Sequence, residues 1–149
     1  MQITAAVARE KGGAFSLETL DLEEPRAGEV LVRVVATGVC HTDMVVRDGH
    51  LPTPMPVVLG LVVSGVVETA AAGYTTAAPG DHVVMTFNSC GHCPSCAEHE
   101  PAYCHEFFPR NFFGTRADGS SALTWHGEVV HRHCCGQATF ATPAICHQQ

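Results

Sequence analysis

Apolar and β-branched residues recur along this chain in short runs, each closed by Gly, Pro or Asp. That is the pattern of strands and turns, not of amphipathic helices. Residues 3–9 and 14–22 read as two strands joined at Gly12-Gly13, where positive φ is available for a hairpin. A longer Val- and Leu-rich strand spans 29–39, entered through the turn Pro25-Arg26-Ala27-Gly28. Residues 42–47 form a helical turn or two before Gly49, and Pro52, Pro54 and Pro56 then impose an extended loop. The nearly all-apolar stretch 57–72 is expected to be one buried strand, bent or bulged at Gly60 and Gly65. After the turn Pro79-Gly80-Asp81 comes a strand at 82–86, and two further strands are expected near 128–131 and 137–144. Short strands at regular spacing predict a mainly β, β-barrel-like domain with few short helices.

Composition narrows this without redirecting it. The 149 residues suffice for one domain, 1–149, with a proper core. At 46% hydrophobic and 15% charged the chain is globular rather than disordered. Eight basic against 15 acidic residues leave a net charge of −7, which argues against a nucleic-acid partner. No window is apolar for long enough to span a membrane, and the first residues lack signal-peptide character, so the expected location is the cytoplasm.

The chemistry concentrates in Cys90-Gly-His-Cys93-Pro-Ser-Cys96 and, seven residues on, Cys104. Four thiolates at such spacing close one tetrahedral zinc site with no position left for water or substrate, so the ion is structural. Two disulfides, or four unrelated buried thiols, are the other arrangements these cysteines allow; a reducing location favours metal. The lobe so formed covers about residues 88–106. His92, His99 and His105 lie in or beside it and read as solvated loop residues, because the cysteines already fill the coordination shell.

Several motifs occur in a telling order: Gly38-Val39-Cys40-His41-Thr42-Asp43, Gly65-Val66-Val67-Glu68, Pro79-Gly80-Asp81-His82-Val83, the four-cysteine lobe and Gly136-Gln137-Ala138-Thr139-Phe140-Ala141-Thr142. In this the chain resembles the N-terminal GroES-like domain of zinc-dependent medium-chain alcohol dehydrogenases. Asn88-Ser89-Cys90-Gly91-His92-Cys93 and Pro101-Ala102-Tyr103-Cys104-His105 look most like the aryl- or benzyl-alcohol branch. The resemblance implies a GroES-like β-barrel fold, the structural zinc on Cys90, Cys93, Cys96 and Cys104, and a second, catalytic zinc. Cys40 matches the first ligand of that second ion. His41 and Thr42 match coenzyme-phosphate and proton-relay positions, and Asp43 a carboxylate that orients a ligand histidine.

This copy departs from the family pattern in three places. Where the family has Gly-His-Glu, the chain has Gly60-Leu61-Val62, and neither aliphatic side chain can ligate a metal. The third ligand belongs beyond the last strand, and the sequence stops at Gln149. No catalytic zinc is therefore expected, and Asp43, without its histidine, is expected to cap the following helical turn. The coenzyme domain is missing too: there is no Gly-x-Gly-x-x-Gly after a strand and no room for a βαβ unit, so no NAD is expected. Finally, Cys134-Cys135 replaces a pair of aromatic residues. With His126, His131 and His133 it makes a donor-rich patch, read here as strand-edge histidines and small buried thiols, because adjacent residues of a strand face opposite ways.

Three functions follow as expectations. The first is a truncated dehydrogenase-like module without stand-alone dehydrogenase activity that binds a hydrophobic or aromatic small molecule or a second protein chain. The second is a cofactor-independent enzyme (cyclase, isomerase or lyase) that uses Cys40, His41, Thr42 and Asp43 in the old cleft. The third is a non-functional remnant. Phe107, Phe108, Phe112 and Phe113 are expected to pack the lobe onto the barrel, with a wall of an aromatic-substrate pocket as the alternative. Apolar surface bared near Cys40, residues 61–63 and the last strand predicts a homodimer.

Overall fold

The computed structural model describes residues 1–132 and 134–147. Strands β1 (Gln2–Ala8) and β2 (Phe15–Leu22) form the expected antiparallel hairpin, and Gly12 takes positive φ in its turn. β3 (Glu29–Gly38) follows, then helix α1 (His41–Arg47).

The apolar run after the prolines is two strands, not one. β4 (Val57–Val58) pairs with β1, whereas β5 (Val62–Ala70) pairs with β3. The break falls at Gly60, whose φ of +98° no side-chain-bearing residue adopts readily. A Cβ there would also lie 2.5 Å from Thr139 Oγ1 and 2.8 Å from Phe140 N. The other glycine of the run behaves as expected. Gly65 lies opposite Val34 beside an irregularity in the β3–β5 register, where a Cβ would come within 2.6 Å of Arg33 O.

β6 (His82–Met85) pairs with β5. The cysteine lobe carries a short helix α2 (Pro94–Ala97) and a 3-10 turn (Pro101–Tyr103), then helix α3 (Phe107–Phe112). Strands β7 (Leu123–Trp125) and β8 (Glu128–Val130) form a second hairpin, of which the sequence suggested only the latter strand. The expected final strand 137–144 is also corrected: β9 (Ala141–Thr142) joins β1, and β10 (Ala144–His147) joins β3. Pro143, which has no N–H to give a ladder, stands at the switch between sheets.

Two sheets result, one ordered β4-β1-β2-β7-β8 with β9 also on β1, the other β10-β3-β5-β6. In the largest of three buried apolar clusters Ile3, Val7 and Leu20 from one sheet meet Leu31 and Ile145 from the other, all nearly fully buried. This is the mainly β, barrel-like architecture expected. Its seam is closed by a polar cluster. Glu29, itself buried, accepts two bonds from Arg116 (2.6 and 2.8 Å), and Arg116 also pairs with Glu23. Burial pushes the Glu29 carboxyl upward, but the bonds from Arg116 and from the Arg26 N–H outweigh it and hold it below the usual carboxylate range.

Candidate metal lobe and the Cys40 cleft

The cysteine lobe is a tight turn built by its own backbone. The sulfurs of Cys90, Cys93, Cys96 and Cys104 lie within 4.8 Å of one another, and Cys90 Sγ is 3.9 Å from Cys96 Sγ. A tetrahedron with metal–sulfur bonds of about 2.3 Å has edges of about 3.8 Å, so the four thiols fit one zinc. Backbone amides point at the sulfurs as they would at thiolates. Cys90 N–H donates to Cys104 Sγ (3.2 Å), Cys93 N–H to Cys90 Sγ (3.2 Å), His105 N–H to Cys93 Sγ (3.5 Å) and Glu106 N–H to Cys104 Sγ (3.4 Å). The bond from His105 N–H, with others to the same sulfur, holds the Cys93 thiol down at about 6, whereas desolvation pushes Cys96 up to about 11. Among the described residues no cysteine is in a disulfide. His92 is exposed and sits 3.8 Å from Glu106, and His99 and His105 are exposed as well, as loop histidines should be.

The lobe is fastened to the barrel by Asn111, which the sequence did not single out. Its side chain accepts the N–H of Asn88 (2.8 Å) and donates to Asn88 O (2.8 Å) and Phe107 O (2.6 Å). Phe107 stacks against Phe87 at 5.3 Å, and Phe87 and Phe112 pack on the core around Leu59 and Val46. This is the packing role expected of the aromatic cluster; Phe108 and Phe113 remain about half exposed.

Cys40, His41, Thr42 and Asp43 sit together at the start of α1, in the order expected. Cys40 is half-buried and His41 exposed, whereas Asp43 is fully buried. The carboxylate takes Cys40 N–H at 2.8 Å, capping the helix, and Gly60 N–H at 3.0 Å. Both oxygens are thus engaged by backbone donors. Leu61, the residue that the sequence resemblance aligns with a ligand histidine, accepts a bond from Gln137 Nε2 at its carbonyl at 3.1 Å. No described cluster of three or more ligand side chains includes Cys40. The residues present do not fit a catalytic zinc.

The patch expected around residues 126–135 is not one site. His126 occupies a positive-φ turn between β7 and β8, stacked on Trp125. His131 bridges to Val57, with burial holding its imidazole below the ordinary range. His133 lies outside the described residues. Cys134 and Cys135 are both buried, as expected, but not along a strand. Cys134 pairs with Gln137 across a turn in which Cys135 (φ +53°) and Gly136 (φ +77°) both have positive φ. The opposite-faces argument therefore does not apply to them.

An apolar groove of about 660 Å3 is lined by Phe15, Leu17, Val35, Val39, Met44 and Phe140 among others, and Cys40 is not in its lining. Leu17 (81%), Val35 (63%) and Val39 (69%) are unusually exposed for such residues.

Comparison with known proteins agrees with this geometry. The alcohol dehydrogenase GroES-like domain model matches residues 26–143. The chain belongs to that family. This GroES-like domain is 43% identical over 145 residues to a geraniol dehydrogenase of Castellaniella defragrans, covering 97% of the chain but 39% of the relative. Its fold superposes on an alcohol dehydrogenase zinc-binding domain protein from Burkholderia ambifaria at a TM-score of 0.96 and 50% identity, covering 99% of this chain and 40% of that one. The benzyl alcohol dehydrogenase of Acinetobacter calcoaceticus gives a TM-score of 0.92 at 45% identity, over 99% of this chain and 39% of that one. The GroES-like domain thus spans about two fifths of the length of these relatives. Among the described residues no helix is long and apolar enough to cross a membrane.

The Asp43 carboxylate is the part of this GroES-like domain most exposed to test. Replacing Asp43 by Asn leaves one oxygen for two buried backbone donors and turns an amide N–H2 toward one of them. At about 1–3 kcal/mol for each unsatisfied buried donor, the loss of stability should be roughly 2–3 kcal/mol. Urea unfolding of the zinc-loaded protein checks this; an unchanged midpoint would show that the bridge is dispensable.

Proposed function

We propose that this GroES-like domain is a zinc-stabilised binding module of the alcohol dehydrogenase family with no dehydrogenase activity of its own. The observation that carries the reading is the pairing of a well-formed four-cysteine lobe with a Cys40 cleft whose neighbouring ligand position is Leu61. One structural zinc would be held by Cys90, Cys93, Cys96 and Cys104 and would supply folding energy rather than chemistry. In the cleft, no described group of three ligand side chains includes Cys40, and these residues carry no Gly-x-Gly-x-x-Gly coenzyme fingerprint. The apolar groove lined by Leu17, Val35, Val39 and Phe140 suits a hydrophobic or aromatic ligand or another chain. The cofactor-independent enzyme is the weaker reading, since both Asp43 oxygens already accept backbone N–H bonds and offer no free base.

The exposed Leu17, Val35 and Val39 and the outer strand β10 support association through this side, most simply as a homodimer. A cytoplasmic location suits the thiol-rich sequence.

Elemental analysis of metal-replete protein should return one zinc per chain, and Cys93→Ser should release it and loosen the lobe. A count of two, or none, contradicts the assignment. With benzyl alcohol and either NAD or NADP the 149-residue chain should show no turnover, and the L61H/V62E double substitution should not restore any; activity above background in either protein would overturn the reading. Light scattering across micromolar concentrations should give a dimer mass that falls to monomer when Val35 and Val39 are both replaced by Glu. A strictly monomeric wild type would remove the argument for a covered groove.

A further inference from the structure

Cys90 belongs to a second donor set besides the four cysteines of the lobe. Its sulfur, a ring nitrogen of His92 and a carboxylate oxygen of Glu106 all lie within 4.8 Å of one another. The backbone of the lobe brings them together. His92 follows Gly91, which turns the chain with a φ of +76°, and Glu106 N–H donates to Cys104 Sγ at 3.4 Å. The Glu106 side chain is aimed as well. Arg110 donates to its Oε2 from Nε (2.9 Å) and Nη2 (2.8 Å), and Oε1 is left facing His92 Nε2 at 3.8 Å. The His92 side chain is 71% exposed and that of Glu106 44%, so an ion can reach both from solvent. His99 and His105 are exposed on the same lobe, yet no described group of three ligand side chains includes either.

We propose that Cys90, His92 and Glu106 form a second, exchangeable site for a first-row divalent cation, which shares the Cys90 sulfur with the zinc of the lobe. The site rests on the reading of the lobe as a zinc centre, because the shared sulfur is a thiolate there. Four thiolates around one divalent ion keep about two negative charges, which attract a further cation. A thiolate on one metal still has lone pairs for another. Imidazole nitrogen and carboxylate oxygen complete a mixed sulfur, nitrogen and oxygen set. Such donors suit zinc or cobalt, whereas magnesium and calcium take oxygen ligands. A tetrahedral ion with bonds of about 2.0–2.1 Å would place the nitrogen and oxygen about 3.4 Å apart. His92 Nε2 and Glu106 Oε1, at 3.8 Å, need only a small side-chain movement to reach that spacing. Water fills the remaining position. With three protein donors, one of them shared, this ion comes away on desalting, and the desalted chain still counts one zinc.

The probe is cobalt(II), titrated into desalted protein whose zinc has been counted first. Thiolates hold zinc in preference to cobalt, so cobalt should enter only the second site. One equivalent should bind with the zinc retained, and a sulfur-to-cobalt charge-transfer band should appear in the near ultraviolet. Calcium should not compete. His92→Ala and Glu106→Gln should each weaken cobalt binding by about tenfold or more while keeping one zinc, which reports that the lobe is still folded. His99→Ala should change neither. One zinc with no cobalt band overturns the second site and leaves the lobe standing. So does a band that survives undiminished in either variant, or one that grows only as zinc is released. A desalted chain without zinc removes the lobe assignment and this site together.

Discussion

A buried carboxylate cannot be left without donors, and that constraint organises the centre of this domain. Asp43 is fully enclosed, and its two oxygens are met by the N–H of Cys40 and the N–H of Gly60. One bond starts helix α1; the other pins the point where the chain leaves one sheet for the other. Cys40 and Leu61, the residue after Gly60, are therefore held relative to each other by a bridge that needs no metal. Charge-assisted bonds of this kind are short and strong, and breaking one of them strands a buried group.

Gly60 carries the other half of that arrangement. Its positive φ lets β4 finish on the β1 sheet and β5 begin on the β3 sheet, and its missing Cβ leaves room for Thr139 and Phe140. Thr139 Oγ1 in turn lies 2.9 Å from Thr37 Oγ1, which donates to Val62 O at 3.2 Å. The floor of the apolar groove is thereby tied to the start of β5. Gln137 completes the set by donating to Leu61 O and Thr86 O. The Gly-Gln-x-Thr segment, read from the sequence only as part of a resemblance, turns out to stitch the two sheets together at the cleft.

The metal lobe is organised on a different principle. Its sulfurs are gathered by N–H···S bonds within one short segment, so its form depends on local spacing far more than on the barrel beneath. Asn111 and the Phe87–Phe107–Phe112 contacts connect the two, with Thr53 Oγ1 donating to Phe112 O and Cys135 N–H to Asn111 O. A lobe so attached can lend stability through metal binding without disturbing the cleft.

The sequence by itself determined what depends on near neighbours. The Gly12-Gly13 hairpin, the helical turn before Gly49 and the clustering of Cys90, Cys93, Cys96 and Cys104 were all legible, because turn chemistry and ligand spacing act over a few residues. That position 61 offers no metal donor was legible too, since it is a matter of residue type. Only the tertiary structure decided what depends on partners far along the chain. The run 57–72 had to become two strands because its halves pair with β1 and β3. The segment 137–144 divided in the same way at Pro143. Asp43 found Gly60, and Asn111 found Asn88, across stretches that carry no local signal. The Cys134-Cys135 pair shows the difference within two residues: the alternation of a strand does not hold there, because the cross-turn bridge to Gln137 and the bond to Asn111 place Cys135 in a positive-φ turn. The bond to Gln137 closes the turn locally, but the one to Asn111 comes from far along the chain, and nothing in the two cysteines announces it.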